Sequence, residues 1–170
     1  MKSNITMLMH LNEFKRRVLR NVSKKLKMHY GDVDEMIEYD IHDIDKAMKE
    51  LGEGYVEKKS LKVLNGIYSY GNSILSAKAG IVRNSKFNKL IKESSLVVYV
   101  DLNEDNFIKA LKREGRNPDK EYHLKSYHKE KEIYFKEADI IVKTKNTNSK
   151  DISDQIVAEI LKYYKRNNKI

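Results

Sequence analysis

The chain contains no cysteine, a single proline and only seven glycines among its 170 residues. The absence of cysteine excludes disulfides, thiolate metal sites and cysteine nucleophiles, as is usual for proteins of a reducing cytoplasm. Long hydrophobic runs are also absent. The apolar run at residues 5–11 is too short for a membrane span, and it is followed rather than preceded by basic residues, which is the wrong order for a signal peptide. We therefore predict one cytoplasmic domain over residues 1–170, with no membrane partner.

Positive charge is concentrated near the N-terminus. The formal net charge is +9, and residues 13–27 hold seven basic side chains against one acidic side chain, Glu13. The basic ones are Lys15, Arg16, Arg17, Arg20, Lys24, Lys25 and Lys27. Two interpretations stay open: an anion-binding face for nucleic acid or another polyanion, or the solvated side of an amphipathic helix.

Short apolar runs alternate with amphipathic segments along the whole chain. The predicted strands are 4–9, 28–32, 73–77, 96–100 and 139–143, and the helices between them include 34–51, 56–68, 86–92 and 152–163. Asn103 is a candidate N-cap for a helix that carries Phe107. This alternation predicts a single α/β domain with a five-stranded parallel sheet and helices on both faces. Ligands of such sheets bind beyond the carboxyl ends of the strands.

Four passages in a fixed order carry a family resemblance. They are Ser23–Glu35 with its D-V-D element, the G-E-G-Y-V stretch Gly52–Val56, the strand and helix of Ser95–Leu111, and Ile133–Val142 with its A-D-I-I-V entry. Together they resemble the shikimate kinase family over residues 4–163. The resemblance implies a P-loop kinase fold and ATP- and Mg²⁺-dependent phosphorylation of shikimate in aromatic amino acid biosynthesis. The very polar, lysine-rich stretch at about residues 112–131 has the composition of a mobile lid.

The nucleotide loop departs from the family's pattern. A phosphate-binding loop has the pattern G-x-x-x-x-G-K-[ST], and the matching residues here, Met9–Arg16, read M-H-L-N-E-F-K-R. Only the lysine remains. Large side chains replace both glycines, and Arg16 cannot replace the hydroxyl that binds Mg²⁺. The vestigial loop residues are Met9, Asn12, Phe14, Lys15 and Arg16, and we predict that Lys15 is a surface lysine.

The substrate side is altered as well. Glu57 and Glu130 stand where the resemblance places two arginines that bind the substrate carboxylate, and of three expected glycines only Gly80 remains. The retained candidates are Asp32 for Mg²⁺, Asp34 for the substrate hydroxyl and Arg116 for the transferring phosphoryl group. For Asp34 an N-cap role is an open alternative. The five histidines, at positions 10, 29, 42, 123 and 128, show no metal-binding spacing and are predicted at the surface.

Three functions are compatible with these residues. The first is a kinase-fold protein without phosphoryl transfer, which needs no cofactor and binds a small molecule or a protein. The second is an active small-molecule kinase that uses ATP and Mg²⁺ with Lys15, Asp34 and Arg116. The third is a module whose basic first helix binds nucleic acid or another polyanion.

Overall fold

A parallel sheet of five strands forms the centre of the molecule. The computed structural model describes residues 3–116 and 120–167. The strands are β1 (Asn4–Leu8), β2 (His29–Asp32), β3 (Ser73–Ala77), β4 (Ser95–Asp101) and β5 (Ile140–Lys143), in the order β2-β3-β1-β4-β5. Every neighbouring pair is parallel, with Thr6 of β1 opposite Leu75 and Val97. The predicted fold class is confirmed.

Helices connect the strands. They are α1 (Asn12–Leu26), α2 (Val33–Ile41), α3 (Ile44–Leu51), α4 (Glu53–Ser69), α5 (Ala79–Arg83), α6 (Ser85–Ser94), α7 (Glu104–Arg113), α8 (Lys120–Glu137) and α9 (Ser149–Asn167). The single helix predicted over 34–51 is wrong. His42 ends α2 with φ of 66°, and the Asp43 carboxylate begins α3 by accepting a hydrogen bond from the Lys46 amide. The short helix α5 was not predicted.

Apolar side chains cover both faces of the sheet. On one face, Val18 and Val22 of α1 and Ile156 of α9 pack on β1 and β4. On the other face, Leu64 of α4 and Ile91 of α6 are fully buried with Tyr134 of α8. The three central strands are buried along their whole length, as the β-branched and aromatic run of β4 predicts for that strand. None of the helices in the two described ranges is long and apolar enough to cross a membrane.

The segment predicted as a lid is mostly helical. Residues 112–113 end α7, and 120–131 form the first part of α8, while residues 117–119 lie outside the described residues. Tyr127 of α8 is buried, and its hydroxyl donates a hydrogen bond to the Leu102 carbonyl at 2.6 Å. The C-terminal part of this segment is therefore packed against the end of β4.

The predicted N-cap of α7 gives a test of the fold. The Asn103 side-chain oxygen accepts a hydrogen bond from the Asn106 amide at 2.8 Å. We expect Asn103→Ala to lower the free energy of unfolding by about 1 kcal/mol in urea titrations, because one buried helix-end amide loses its acceptor. Asn103→Ser keeps a capping oxygen and should stay close to the wild type; an equal loss in both variants would contradict the cap.

Candidate functional site

A cavity of about 450 Å³ lies beyond the carboxyl ends of the strands. This is where ligands bind in open parallel sheets. It collects residues that are far apart in the sequence. The candidates from the sequence that line it are Met9, Lys15, Asp34, Gly80, Arg116 and Glu130. Lys78 and Arg83, which the sequence did not single out, line it as well.

The connection from β1 to α1 is short. Only Met9, His10 and Leu11 separate the end of β1 from Asn12, where α1 begins. Leu11 has φ of 72°, a left-handed conformation that costs a side chain about 1 kcal/mol or more. Met9 and Phe14 are each 3% exposed. The two large residues at the glycine positions therefore fill the interior, and the helix starts early.

A carboxylate from a distant part of the chain caps α1. The N-cap residue Leu11 offers no side-chain acceptor, and the Phe14 amide instead donates to Glu114 Oε1 at 2.9 Å. The Glu114 side chain is 4% exposed, and Arg116 Nε lies 3.7 Å from its other oxygen. A negative group at this position also interacts favourably with the helix dipole. The anion position at the start of α1 is thus occupied by a side chain of the protein itself.

Lys15 is buried, so its predicted surface position is wrong. It is 2% exposed, and its Nζ lies 3.2 Å from Asp32 Oδ2. Lys15 lies four residues before Leu19 and seven before Val22, on the apolar stripe of α1. This spacing predicts a buried position for Lys15, whereas the neighbouring run of basic residues favours the surface. The helical spacing is the sequence signal that identifies Lys15 as buried.

Asp32 is fully engaged by protein groups. Besides Lys15, its Oδ2 accepts the Ser76 hydroxyl at 2.6 Å. Its Oδ1 accepts the amides of Asp34 and Glu35, so Asp32 rather than Asp34 caps α2. Within residues 3–116 and 120–167, no group of three or more His, Cys, Asp or Glu could hold a metal ion.

Asp34 is a cavity residue and not a helix cap, which corrects the alternative interpretation of it. Its carboxylate accepts a hydrogen bond from the Lys78 amide at 3.0 Å. Burial raises the pKa of Asp34 above the usual value, and the nearby charge of Lys78 opposes that rise. A partly desolvated carboxyl group on a cavity wall is typical of a functional site.

His10 is buried, contrary to the prediction of five surface histidines. It is 3% exposed and surrounded by aromatic rings, with ring centroids 4.8 Å from Tyr127 and 5.2 Å from Tyr134. Its Nδ1 lies 3.1 Å from Glu130 Oε2, and its Nε2 lies 3.2 Å from the Tyr99 hydroxyl. The imidazole fills the space between the end of β1 and α8.

The remaining candidates lie around the cavity or outside it. Glu57 does not line it and bonds to Asn84 and Lys86, which hold the pKa of Glu57 below its usual value. Arg16 forms ion pairs with Glu13 and Glu35 on the surface.

Comparisons with known proteins find relatives that are similar in sequence over most of the chain. The family model described as "Shikimate kinase" matches residues 15–162. A shikimate kinase of Clostridium botulinum (strain Loch Maree) is 30% identical over 158 residues, which cover 86% of this chain and 87% of the relative. A shikimate kinase of Wigglesworthia glossinidia brevipalpis is 25% identical over 95% of this chain and 98% of its own length.

Solved structures resemble the fold. The shikimate kinase from Acinetobacter baumannii in complex with shikimate superposes with a TM-score of 0.73 and 21% identity, covering 95% of this chain and 94% of that one. The shikimate kinase from Aquifex aeolicus gives 0.69 and 22%, covering 94% and 97%.

The buried Lys15–Asp32 pair gives a test of the site's construction. We expect Lys15→Met to lower the free energy of unfolding by about 3 kcal/mol or more in urea titrations, because it leaves the Asp32 carboxylate buried without its cation. Lys25→Met is the matched control, since Lys25 pairs with Asp154 on the surface and its loss should cost about 1 kcal/mol or less. Equal losses in the two variants would show that the Lys15 pair is not buried.

Proposed function

The chain belongs to the shikimate kinase family, and from that premise we propose that it has lost phosphoryl transfer from ATP and acts by binding a ligand. The observation that carries the proposal is the hydrogen bond from the Phe14 amide to the Glu114 carboxylate. In P-loop kinases the start of the corresponding helix binds the nucleotide phosphates. Here a carboxylate of the chain takes that position.

Glu114 opposes a nucleotide both by space and by charge. Its side chain is 4% exposed and accepts the Phe14 amide at 2.9 Å. A phosphate at the same amide would have to displace a buried carboxylate or lie against it, and two negative charges in contact repel strongly in a poorly solvated site.

The loop itself does not fit a magnesium nucleotide. Phosphate-binding loops surround the phosphates with backbone amides, which requires glycine at the crowded positions. Met9 and Phe14 stand at those positions and are buried, and α1 begins at Asn12, so few amides are free to turn inward. Lys15, which would reach the phosphates, is paired with Asp32.

The substrate side supports the same proposal. Glu130 lies on the cavity wall where an arginine would bind the substrate carboxylate, and it is hydrogen-bonded to His10. The cavity nevertheless persists, at about 450 Å³, with Lys78 and Arg83 on its wall. A cavity of this size is typical of a small-molecule binding site, and its mainly polar wall favours a polar ligand.

An active small-molecule kinase is the second candidate. It is favoured by one observation, namely that Lys15, Asp34 and Arg116 line the same cavity. These are the groups that phosphoryl transfer would need to position a nucleotide and a hydroxyl. In this alternative Glu114 would have to leave the Phe14 amide and Lys15 would have to leave Asp32.

Direct assays separate the two candidates. We expect no ATP·Mg²⁺ binding tighter than about 1 mM in calorimetry, because Glu114 and the side chains of the loop occupy the phosphate position. We also expect no ADP release in the presence of shikimate, with one of the shikimate kinases that the chain resembles as the positive control. Micromolar nucleotide binding, with ADP release abolished by Asp34→Asn and by Arg116→Gln, would establish the kinase instead.

The Glu114 contact can be tested on its own. Glu114→Gln keeps an oxygen that accepts the Phe14 hydrogen bond but removes the negative charge. We expect it to bind inorganic tripolyphosphate about twofold to fivefold more tightly than the wild type in calorimetry, as the worth of a charge at a helix end predicts. Glu104→Gln removes a charge from the exposed first turn of α7 and serves as the control. Unchanged affinity in Glu114→Gln would contradict the role given to this carboxylate.

A further inference from the structure

The basic residues of α1 divide into two groups. Some are already neutralised, since Lys15 pairs with Asp32, Arg16 with Glu13 and Glu35, and Lys25 with Asp154. The others are Arg17, Arg20, Lys24 and Lys27. None of these four forms an ion pair with a carboxylate of residues 3–116 or 120–167, and all four are exposed.

These four residues form one line along the helix surface, which we call the basic stripe. Arg17, Arg20 and Lys24, spaced by three and four residues, lie on the same face of α1, and Lys27 directly follows the helix as its C-cap residue. The seven residue steps from Arg17 to Lys24 correspond to about 10 Å of helix, and Lys27 lies just beyond its end. Four cations in a line over this distance can contact several successive phosphates of one strand.

A second cleft adjoins the C-terminal end of the stripe. It has a volume of about 480 Å³, lies at the β2 edge of the sheet and shares no residue with the cavity at the carboxyl ends of the strands. The residues on its wall include Tyr30 and Tyr70 together with Met36 and Ile67. Tyr70 is 87% exposed, so one face of its ring is open to a planar ligand.

Contacts of the described residues connect the cleft to the stripe. Asn72, on the cleft wall, donates from its side chain to the Lys27 carbonyl at 3.4 Å. His29, also on the cleft wall, follows Lys27 by two residues in the chain. A ligand that lies along the stripe therefore reaches the cleft without leaving the protein surface.

We propose that the basic stripe and this cleft bind single-stranded nucleic acid, a function separate from the one proposed for the cavity. Phosphates lie along Arg17, Arg20, Lys24 and Lys27, and an unpaired base stacks on Tyr70 at the mouth of the cleft. Single-strand sites combine cations that follow the backbone with aromatic rings that accept bases. A duplex keeps its bases stacked and paired, and an anionic membrane has no aromatic group to enter the cleft, so both use only the stripe.

The first experiment measures binding and its salt dependence. Fluorescence anisotropy with the full chain and a labelled single strand of about twelve nucleotides should give a Kd in the micromolar range at low salt. The logarithm of the binding constant should fall with the logarithm of salt concentration with a slope of about −3, as four phosphate contacts on a single strand predict. Absence of binding at low salt overturns the proposal.

Charge-matched variants test the stripe. The variant with Arg17, Arg20, Lys24 and Lys27 all changed to Gln lowers the net charge from +9 to +5 (9 − 4 = 5), and it should bind about tenfold or more weakly with a salt slope near zero. The control changes Lys49, Lys62, Lys109 and Lys150 to Gln, which removes the same charge from exposed positions elsewhere. It should stay within about threefold of the wild type. An equal loss in both variants, with circular dichroism showing both folded, overturns the assignment to the stripe.

Variants of Tyr70 test the cleft. Tyr70→Ala should weaken single-strand binding about fivefold or more, because base stacking is lost, and Tyr70→Phe should retain it. A Tyr70→Ala variant with wild-type affinity overturns the role of the cleft. Duplex of the same length, or vesicles with anionic lipid, that bind as tightly as the single strand would overturn the choice of ligand.

Discussion

The buried ion pair between Lys15 and Asp32 is the interaction on which the organisation of the site depends. It joins α1 to the end of β2, and the same carboxylate caps α2 and accepts the Ser76 hydroxyl of β3. Two charges that are 2% and 6% exposed lose most of their hydration, so each must be compensated by the other and by hydrogen bonds. Neither group can leave the pair without leaving its partner buried and uncompensated. The pair therefore fixes the loops around the cavity in one arrangement.

The same principle extends across the rest of the cavity edge. The Phe14 amide at the start of α1 has a partner in Glu114, and Glu130 has a partner in His10. In an enzyme that holds charged substrates, such groups gain their full complement of partners only when the ligand is present. Here the Phe14 amide and Glu130 already have protein partners. Binding of a phosphate or a second carboxylate would therefore gain less electrostatic stabilisation. Lys78 and Arg83 stay on the wall of the cavity, so an anionic ligand of another shape is not opposed in the same way.

The strands of the sheet could be predicted from the sequence, but the contacts of the side chains at the carboxyl ends of the strands could not. The strands could be predicted because runs such as Leu96–Val100 must be buried on both faces, which leaves few alternatives for their place in the fold. The division of residues 34–51 into two helices depends on the positive φ angle of His42. The spacing of apolar residues in this segment does not predict that break. Lys15 and His10 were placed at the surface because their chemistry is polar. Their burial depends on Asp32 and Glu130, partners that only the folded chain brings near. The Glu114 contact spans 100 residues and was beyond any local pattern.

Helical geometry also explains why one basic segment can serve two roles. Because an α-helix has about 3.6 residues per turn, side chains that are neighbours in the sequence point to different sides of α1. Lys15 points inward to Asp32, Lys25 points toward α9 and Asp154, and the stripe from Arg17 to Lys27 faces solvent. Met9 and Phe14, the large residues at the two glycine positions, lie in the β1–α1 connection and the first turn of α1, away from the outer face of the helix. The cavity residues and the basic stripe therefore share a backbone but no partners, so the function proposed for the cavity and the one proposed for the stripe can be tested independently.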